Sequence, residues 1–293
     1  MKRKEINIRD PYVLVYGEKY YLYGTRSDTC WGKADGFDCY VSDDLVDFEE
    51  PVEIFKRPDD FFADQNFWAP ECYAYNGGFY FVTTLGAEDR KLGIYVLRAD
   101  EPTGPFSFYA DRLTPESWDC IDGTLYFEDD TPYLFFSRSQ HGAEDGDFCM
   151  LELSKDLKKA VSEPITLFTA KDAVWAKPFP YSKEEFGIDQ MYFSDGPNLL
   201  KLEDGKLYMI MSSWSNNGYA VGVAVSDNGS VSGPWKLQEK PLYPENGGHG
   251  MFFKDLNGKL VFTLHYPNDK YQEHPTFWRV EAKDGELFLG EEL

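Results

Sequence analysis

The 293-residue sequence predicts an all-β fold, a five-bladed β-propeller whose blades are four-stranded antiparallel sheets. The first observation is a turn signal followed by aromatic and aliphatic residues, which occurs five times at intervals of roughly 50 to 75 residues. The second is another short apolar run before each turn, introduced by a distinctive polar group. The third is the lack of a long apolar pattern of period 3.6, so helices are hardly expected.

The strands follow one another in the same order in every repeat. Innermost strands are predicted at RDPYVLV, WAPECYAY, IDGTLYF, SDGPNLLKL and GHGMFF. Second strands are predicted within YGEKYYLYGT, YNGGFYFVTT, EDDTPYLFFS, EDGKLYMIMS and LNGKLVFTLH. Third strands are FDCYVSDDL, LGIYVLRAD, FCMLELSKD, YAVGVAVSD and TFWRVEAKD. Turns such as Gly104-Pro105 and Gly233-Pro234 then lead into a fourth, edge strand.

A β-sandwich or barrel with similar tyrosine-rich hairpins is the alternative fold. No low-complexity linker divides the chain, and propellers of this length often form one unit, so residues 1–293 are expected to be a single domain.

Composition excludes several classes of function. The chain has 51 acidic against 29 basic residues, and its net charge of -22 opposes binding to nucleic acid or to an anionic membrane. Aromatic residues make up 17% of the chain, too many for a disordered acidic polymer.

Neither a membrane span nor a signal peptide is recognisable, so a cytoplasmic location is expected, unless an export signal has been removed. The five cysteines are scattered without CxxC spacing, which predicts buried, reduced thiols rather than disulfides or a zinc site.

Polar side chains introduce the innermost strands, which run beside the propeller axis. The propeller would therefore bring together, at one end of the axis, Asp10, Glu71, Asp122, Asp195 and His249. Two carboxyl groups across a sugar ring can divide glycoside cleavage between them, one donating a proton to the leaving oxygen and one activating water. Crowding and burial keep one carboxyl protonated near neutral pH.

Five motifs in this order resemble glycoside hydrolase family 43, five-bladed β-propeller enzymes that act mainly on arabinose- and xylose-containing glycans. The motifs are Arg9-Asp10-Pro11, Trp68-Ala69-Pro70-Glu71, Ile121-Asp122-Gly123, Asp195-Gly196-Pro197 and Gly248-His249-Gly250. The resemblance implies an inverting hydrolase of arabinofuranosyl or xylosyl linkages in plant-type oligosaccharides. Alternatives are a hydrolase or phosphorylase acting on another sugar, such as a galactoside, and a carbohydrate-binding propeller without turnover.

The resemblance also implies roles for the three aspartates. Asp10 would be the general base, Asp122 would orient its partner and adjust that partner's pKa, and Asp195 would be the general acid. The family acid is ordinarily Glu, which is one methylene longer, so Glu71, Glu184 and Glu185 remain alternative proton donors. A turn-capping role is the alternative for Asp10 and Asp122.

The remaining site residues are expected around these acids. The resemblance implies that His249 helps to hold a hydrated structural calcium ion near the axis, although no cofactor is required for chemistry and a simply buried histidine is the alternative. Residues expected to contact the sugar are Trp31, Trp68, Glu71 and Arg138. The long segment 171–192 between two blades is expected to shape the rim of the pocket.

Overall fold

A computed structural model describes residues 1–283 and 285–293, so that only Asp284, the last residue of a predicted third strand, lies outside it. Five four-stranded antiparallel sheets follow one another along the chain, and within each sheet the strands are in sequence order. The first strands of neighbouring sheets pack against one another around a common axis. The predicted five-bladed propeller is thereby confirmed.

Each blade is one continuous stretch of chain. Blade one contains β1 (Ile8–Tyr16), β2 (Lys19–Arg26), β3 (Gly36–Ser42) and β4 (Val52–Lys56). Blade two contains β5 (Gln65–Tyr75), β6 (Gly78–Ala87), β7 (Arg90–Ala99) and β8 (Ser107–Ala110). Blade three contains β9 (Cys120–Glu128), β10 (Thr131–Arg138), β11 (Asp147–Glu152) and β12 (Ile165–Thr169). Blade four contains β13 (Asp195–Lys201), β14 (Leu207–Ser215), β15 (Gly218–Ser226) and β16 (Trp235–Leu237). Blade five contains β17 (Gly248–Lys254), β18 (Leu260–Tyr266), β19 (His274–Lys283) and β20 (Glu286–Glu292).

Helix is confined, in the described residues, to three short segments: two 3₁₀ turns at Arg3–Glu5 and Ala170–Asp172, and α1 (Ser182–Phe186) in the segment before blade four. None of the described helices is long and apolar enough to cross a membrane. All five cysteines are buried and unpaired, as predicted.

Tight turns join the first two strands of a blade. Gly17 and Glu18, between β1 and β2, both have positive φ, at 56° and 64°. Two consecutive residues of this kind form a type I′ turn, whose twist matches that of the two strands that it connects. The turn signals read from the sequence therefore correspond to real hairpins.

Aromatic side chains fill the spaces between blades. Tyr23 and Phe37 of blade one are fully buried against Phe81 of blade two, with ring centroids 5.6 and 5.1 Å from that of Phe81. Each such ring contributes about 2–3 kcal/mol through burial, so the many tyrosines and phenylalanines hold the blades together.

A two-residue bulge interrupts the start of every innermost strand. The bulges are Asp10-Pro11, Ala69-Pro70, Asp122-Gly123, Gly196-Pro197 and His249-Gly250, each placed opposite a single residue of the second strand. The first residue of every bulge has positive φ, between 44° and 61°. Bulges re-aim side chains, and here they give equivalent positions in five blades the same local geometry.

Side chains rather than a shared strand close the circle between blades five and one. Arg9 Nη1 lies 2.7 Å from Glu273 Oε1, and the Ser27 hydroxyl donates to Glu273 Oε2 at 2.7 Å. The Asn7 amide donates to the Glu273 carbonyl oxygen at 2.8 Å. We call these four residues the seam. Glu273 is fully buried, so this junction is anchored by a buried ion pair.

Candidate active site

A cavity of about 610 Å³ lies where the innermost strands begin. All five innermost strands contribute to its lining, through Arg9 and Asp10, Trp68, Ile121 and Asp122, Asp195, and His249. The structure therefore brings Asp10, Asp122, Asp195 and His249 to one pocket.

Hydrogen bonds hold both the side chain and the backbone amide of Asp10. The Thr25 hydroxyl donates to Asp10 Oδ2 at 2.6 Å, and the Asp10 amide donates to His265 Nδ1 at 3.2 Å. Burial alone would raise the pKa of Asp10, but His249 and His265 in their protonated forms, the Arg9 guanidinium and the Thr25 hydrogen bond outweigh it and lower the pKa. The Arg9 guanidinium carries the permanent charge among these groups, so Asp10 is ionised at neutral pH.

Asp195 precedes the bulge of blade four and has the opposite character. Its Oδ1 accepts a short hydrogen bond from the Tyr219 hydroxyl. Burial raises the pKa of Asp195 to about 7, and the Asp10 carboxylate acts in the same direction, although the Tyr219 hydrogen bond and Arg9 partly oppose the shift. Asp195 can therefore carry a proton near neutral pH.

Asp122 links blades two, three and four. Its amide donates to Thr84 Oγ1 at 2.9 Å, and its Oδ2 accepts from the Gly196 amide at 3.1 Å. Burial raises its pKa well above the ordinary value, and the charges of Asp195 and Asp10 add to the shift. Asp122 is thus a buried acid whose charge state depends on its two neighbours.

One imidazole nitrogen faces all three carboxyls. His249 Nδ1 lies 3.5 Å from Asp10 Oδ1, 3.5 Å from Asp122 Oδ2 and 3.9 Å from Asp195 Oδ1. Burial lowers the pKa of His249 despite the Asp10 carboxylate, so the ring is neutral at neutral pH. The neutral ring therefore contacts all three carboxyl groups without adding a positive charge between them.

The same residues bear on the predicted calcium ion. One ligand atom from each of Asp122, Asp195 and His249 lies within 4.8 Å of the other two. Calcium prefers about six to eight oxygen ligands, whereas this set offers two carboxyl groups and an imidazole nitrogen. This donor set does not fit a resident calcium ion bound directly by these side chains, and no step below uses one. A hydrated ion beside His249 stays a prediction.

His265 was not anticipated as a site residue. It lies near the end of the second strand of blade five, at the position occupied in the other blades by Thr25, Thr84, Ser137 and Ser212. The hydroxyls of Thr25, Thr84 and Ser212 each accept the amide of the next blade's bulge, at 2.8, 2.9 and 3.0 Å. A histidine ending the fifth copy of a repeat whose other copies end in Thr or Ser was the available signal. Tyr219, on the third strand of blade four, had no comparable signal.

Glu71, expected to contact substrate, does not line the cavity. It follows the bulge of blade two instead of forming it, so the position equivalent to Asp10 is Ala69. Glu71 is buried along the axis, where Tyr73 donates a short hydrogen bond to it. Burial raises the pKa of Glu71 to about 8.

Arg138 does not line the cavity either. Its guanidinium lies 4.0 Å from the centre of the Trp118 ring and 3.6 Å from Asp147, and these contacts hold it away from the pocket. Arg26, another arginine outside the lining, pairs with Asp38 and Asp35 at 2.6 and 2.7 Å.

Aromatic residues form two walls of the cavity. Trp31 and Trp68 pack edge to face, with ring centroids 6.0 Å apart, and both line the pocket as expected. Arg9 and Lys270 lie over the Trp31 ring at 5.2 and 4.7 Å. The other wall comes largely from segment 171–192 and blade four, through Phe179, Tyr181, Phe186, Phe193 and Trp214. Glu185 of α1 also reaches the pocket, whereas Glu184 is not part of its lining.

Comparisons with known proteins agree with this geometry. The family model described as Glycosyl hydrolases family 43 matches residues 5–286. An endo-arabinase from Bacteroides thetaiotaomicron is 35% identical, with a TM-score of 0.89 and 98% of each chain covered. An endo-1,4-beta-xylanase from the same organism is 28% identical, with a TM-score of 0.74 and coverage of 98% of this chain and 95% of that one. No curated protein sequence matches.

Proposed function

The chain belongs to glycosyl hydrolase family 43 and is therefore a glycoside hydrolase, and from this premise we propose that it cleaves arabinofuranosyl or xylosyl linkages with inversion of the anomeric carbon. Arabinose is the favoured sugar, because the 35% identical protein is described as an endo-arabinase. The natural substrates would be plant-type oligosaccharides.

The observation that carries the proposal is the opposite proton affinity of two carboxyls facing one imidazole. Asp10 has a lowered pKa and is ionised, which suits a general base, while Asp195 has a pKa raised to about 7 and keeps a proton. Both have an oxygen within 3.9 Å of His249 Nδ1, so both face the same part of the cavity.

In the proposed reaction Asp10 accepts a proton from a water molecule while the water oxygen attacks the anomeric carbon. The bond from that carbon to the glycosidic oxygen breaks, its electron pair stays on the oxygen, and the oxygen takes the proton of Asp195. Asp10 is then protonated and Asp195 ionised, and proton exchange with solvent restores both. Asp122, bonded to the Gly196 amide beside Asp195, would keep the donor oriented.

The walls of the cavity suit a sugar. Trp31 and Trp68 on one side and Trp214 with Tyr181 on the other can cover the apolar faces of sugar rings. Lys270 and Glu185 at the lining supply polar groups for hydroxyls.

The test is a substrate panel with a stereochemical readout. The protein would be incubated with arabino-, xylo- and galacto-oligosaccharides, with and without inorganic phosphate, and fresh product examined by proton NMR. Arabinose- or xylose-containing products with inverted configuration are expected, with Asp10→Asn as the inactive control. Retained configuration, or a sugar phosphate as product, would contradict the proposal. Calorimetric binding without any turnover would instead indicate a carbohydrate-binding propeller.

A further inference from the structure

Near the end of the second strand, four blades carry a hydroxyl side chain at the equivalent position, and blade five carries the imidazole of His265. Where Thr25, Thr84 and Ser212 accept the amide of the next bulge through oxygen, His265 accepts the Asp10 amide through Nδ1 at 3.2 Å. A hydroxyl would satisfy that amide as well as it does in the other blades. The imidazole ring extends beyond Nδ1, the atom that accepts this hydrogen bond. The rest of the ring can therefore make further contacts that a hydroxyl could not.

The ring of His265 is fixed at both nitrogens. Since Nδ1 accepts the Asp10 amide, the neutral ring carries its proton on Nε2, which faces Asn268 Oδ1 at 3.2 Å. Burial and Arg9 lower the pKa of His265 to about 3, so the ring stays neutral over the working range of an enzyme. His265 is fully buried. Its orientation is consequently set by two hydrogen bonds and by packing.

The face of this ring stacks on Tyr219. The ring centroids are 5.7 Å apart and the planes differ by 20°. Tyr219 is 2% exposed, and its hydroxyl donates to Asp195 Oδ1. A continuous set of contacts thus runs from the Asp10 backbone through His265 and Tyr219 to the carboxyl of Asp195.

We propose that Tyr219 and His265 are a positioning pair that holds Asp195 in the geometry from which it donates its proton. The proposal rests on the function proposed above, in which Asp195 is the acid. An aspartate reaches less far than a glutamate, so a donor bonded to one of its oxygens determines where the other oxygen points. Catalysis is sensitive to errors of about 1 Å at such a position.

The decisive measurement compares two leaving groups. Cleavage of an arabino-oligosaccharide releases an alkoxide, which is a poor leaving group and needs a proton. Cleavage of a dinitrophenyl arabino-oligosaccharide releases dinitrophenolate, which leaves without one. Tyr219→Phe is expected to lower kcat on the oligosaccharide about a hundredfold, with KM unchanged, and to change kcat on the dinitrophenyl substrate by less than about threefold. Equal losses on both substrates, or no loss on either, would overturn the proposal.

His265→Thr tests the second member of the pair, because threonine restores the hydroxyl found in blades one and two. It is expected to reproduce the selective loss on the oligosaccharide, and the double variant is expected to be no slower than Tyr219→Phe alone. If the two losses multiply, or if His265→Thr slows both substrates equally, His265 acts on Asp10 and not through Tyr219, and the pair is refuted.

Tyr208→Phe is the matched control. Tyr208 is buried in the same blade, and its hydroxyl donates to Asp204 Oδ2 at 2.8 Å, away from the cavity lining. It should keep wild-type kcat on both substrates. Thermal melting identifies any variant that fails to fold, and His265→Gln then replaces His265→Thr.

A crystal structure of Tyr219→Phe gives a readout without turnover. The Asp195 carboxyl should rotate away from its wild-type position, and an unmoved carboxyl would overturn the proposal. If the wild-type protein cleaves no sugar, the proposed function fails, while this structural comparison still decides whether the pair positions Asp195.

Discussion

Blades one and four each bring one aspartate to the same cavity, and the two sides of the cavity are built differently. The side of blade one is charged and hydrogen-bonded, with Arg9 paired to Glu273 and Thr25 donating to Asp10. The side of blade four is aromatic, with Trp214 and Tyr219 close to Asp195. Identical side chains therefore acquire opposite proton affinities from their neighbours, and these affinities are the ones that the proposed roles of base and acid require.

The bulges add a second difference. Asp10 is the first residue of its bulge and has φ of 53°, whereas Asp195 comes one residue before the bulge, and Gly196 takes the positive φ. The backbone conformation of the bulge in blade one therefore determines where the Asp10 side chain points. The carboxyl of Asp195 instead relies on a hydrogen bond from Tyr219, on the third strand of the same blade.

The largest expected effect comes from removing the proposed base. Asp10→Asn keeps the shape of the side chain but cannot accept a proton from water, so kcat should fall by up to about 10⁴-fold on every substrate, activated or not. Steady-state kinetics on both leaving groups measures this. Asp227→Asn, at a surface site paired with Lys206 and Lys236, is the control and should retain full activity. Wild-type rates in Asp10→Asn would remove Asp10 from the mechanism.

Removing the proposed acid should have a smaller and more selective effect. Asp195→Asn cannot donate a proton, so kcat on arabino-oligosaccharides should fall about 10³-fold while a dinitrophenyl substrate is largely spared. The ratio of the two losses, measured in one preparation, distinguishes acid from base. A uniform loss would mean that the two aspartates do not differ in role as proposed, and Glu185 would be the next candidate donor in the cavity.

The pH profile should show the same contrast in the wild-type protein. Asp195 must be protonated, so kcat/KM should fall about tenfold per pH unit above about pH 7. Asp10 must be ionised, and since its pKa is lowered, activity should persist down to about pH 4, the ordinary range of an aspartate. Rates that increase steadily from pH 7 to pH 9 would contradict the assignment of Asp195.

The smallest effect concerns stability rather than rate. The pKa of Glu71 is raised to about 8 from an ordinary 4.5, so its protonated form contributes stability below pH 4.5, and that stability is lost as pH rises towards 8. Glu71→Gln has no such proton to lose. Its Tm should exceed that of the wild type by about 3 °C or more at pH 9 and by much less at pH 4.

Thermal melts at the two pH values measure this difference. Exposed Glu163→Gln is the control and should show no pH-dependent gain. An equal Tm difference for Glu71→Gln at both pH values would show that burial does not hold the proton on Glu71.

The sequence was sufficient to predict the blades and the convergence of four site residues. The repeated hairpins carry turn chemistry that pairs consecutive strands, and pairing forces residues at equivalent positions in the repeats towards one axis. The cavity lining accordingly includes all four residues: Asp10, Asp122, Asp195 and His249.

The sequence did not reveal the change in strand register that the bulges create. Two residues opposite one on the partner strand shift the register, so Glu71 of WAPE falls beyond the bulge and its carboxyl is buried along the axis. Arg138 lies outside the cavity lining for another reason, because its guanidinium stacks on Trp118, twenty residues earlier in the chain. Contacts of this kind depend on loop paths, and a repeat pattern carries no information about those.

The seam between blades five and one has a consequence for synthesis on the ribosome. Residues 10 and 265 are joined by a hydrogen bond although 255 positions separate them, and Glu273 completes the ion pair with Arg9. A growing chain that has already produced Asp10, Asp122 and Asp195 still lacks the partners that orient its first aspartate. Asp10, the proposed general base, can therefore reach its final hydrogen bonds only when translation of the last blade brings His265 and Glu273 back to the first.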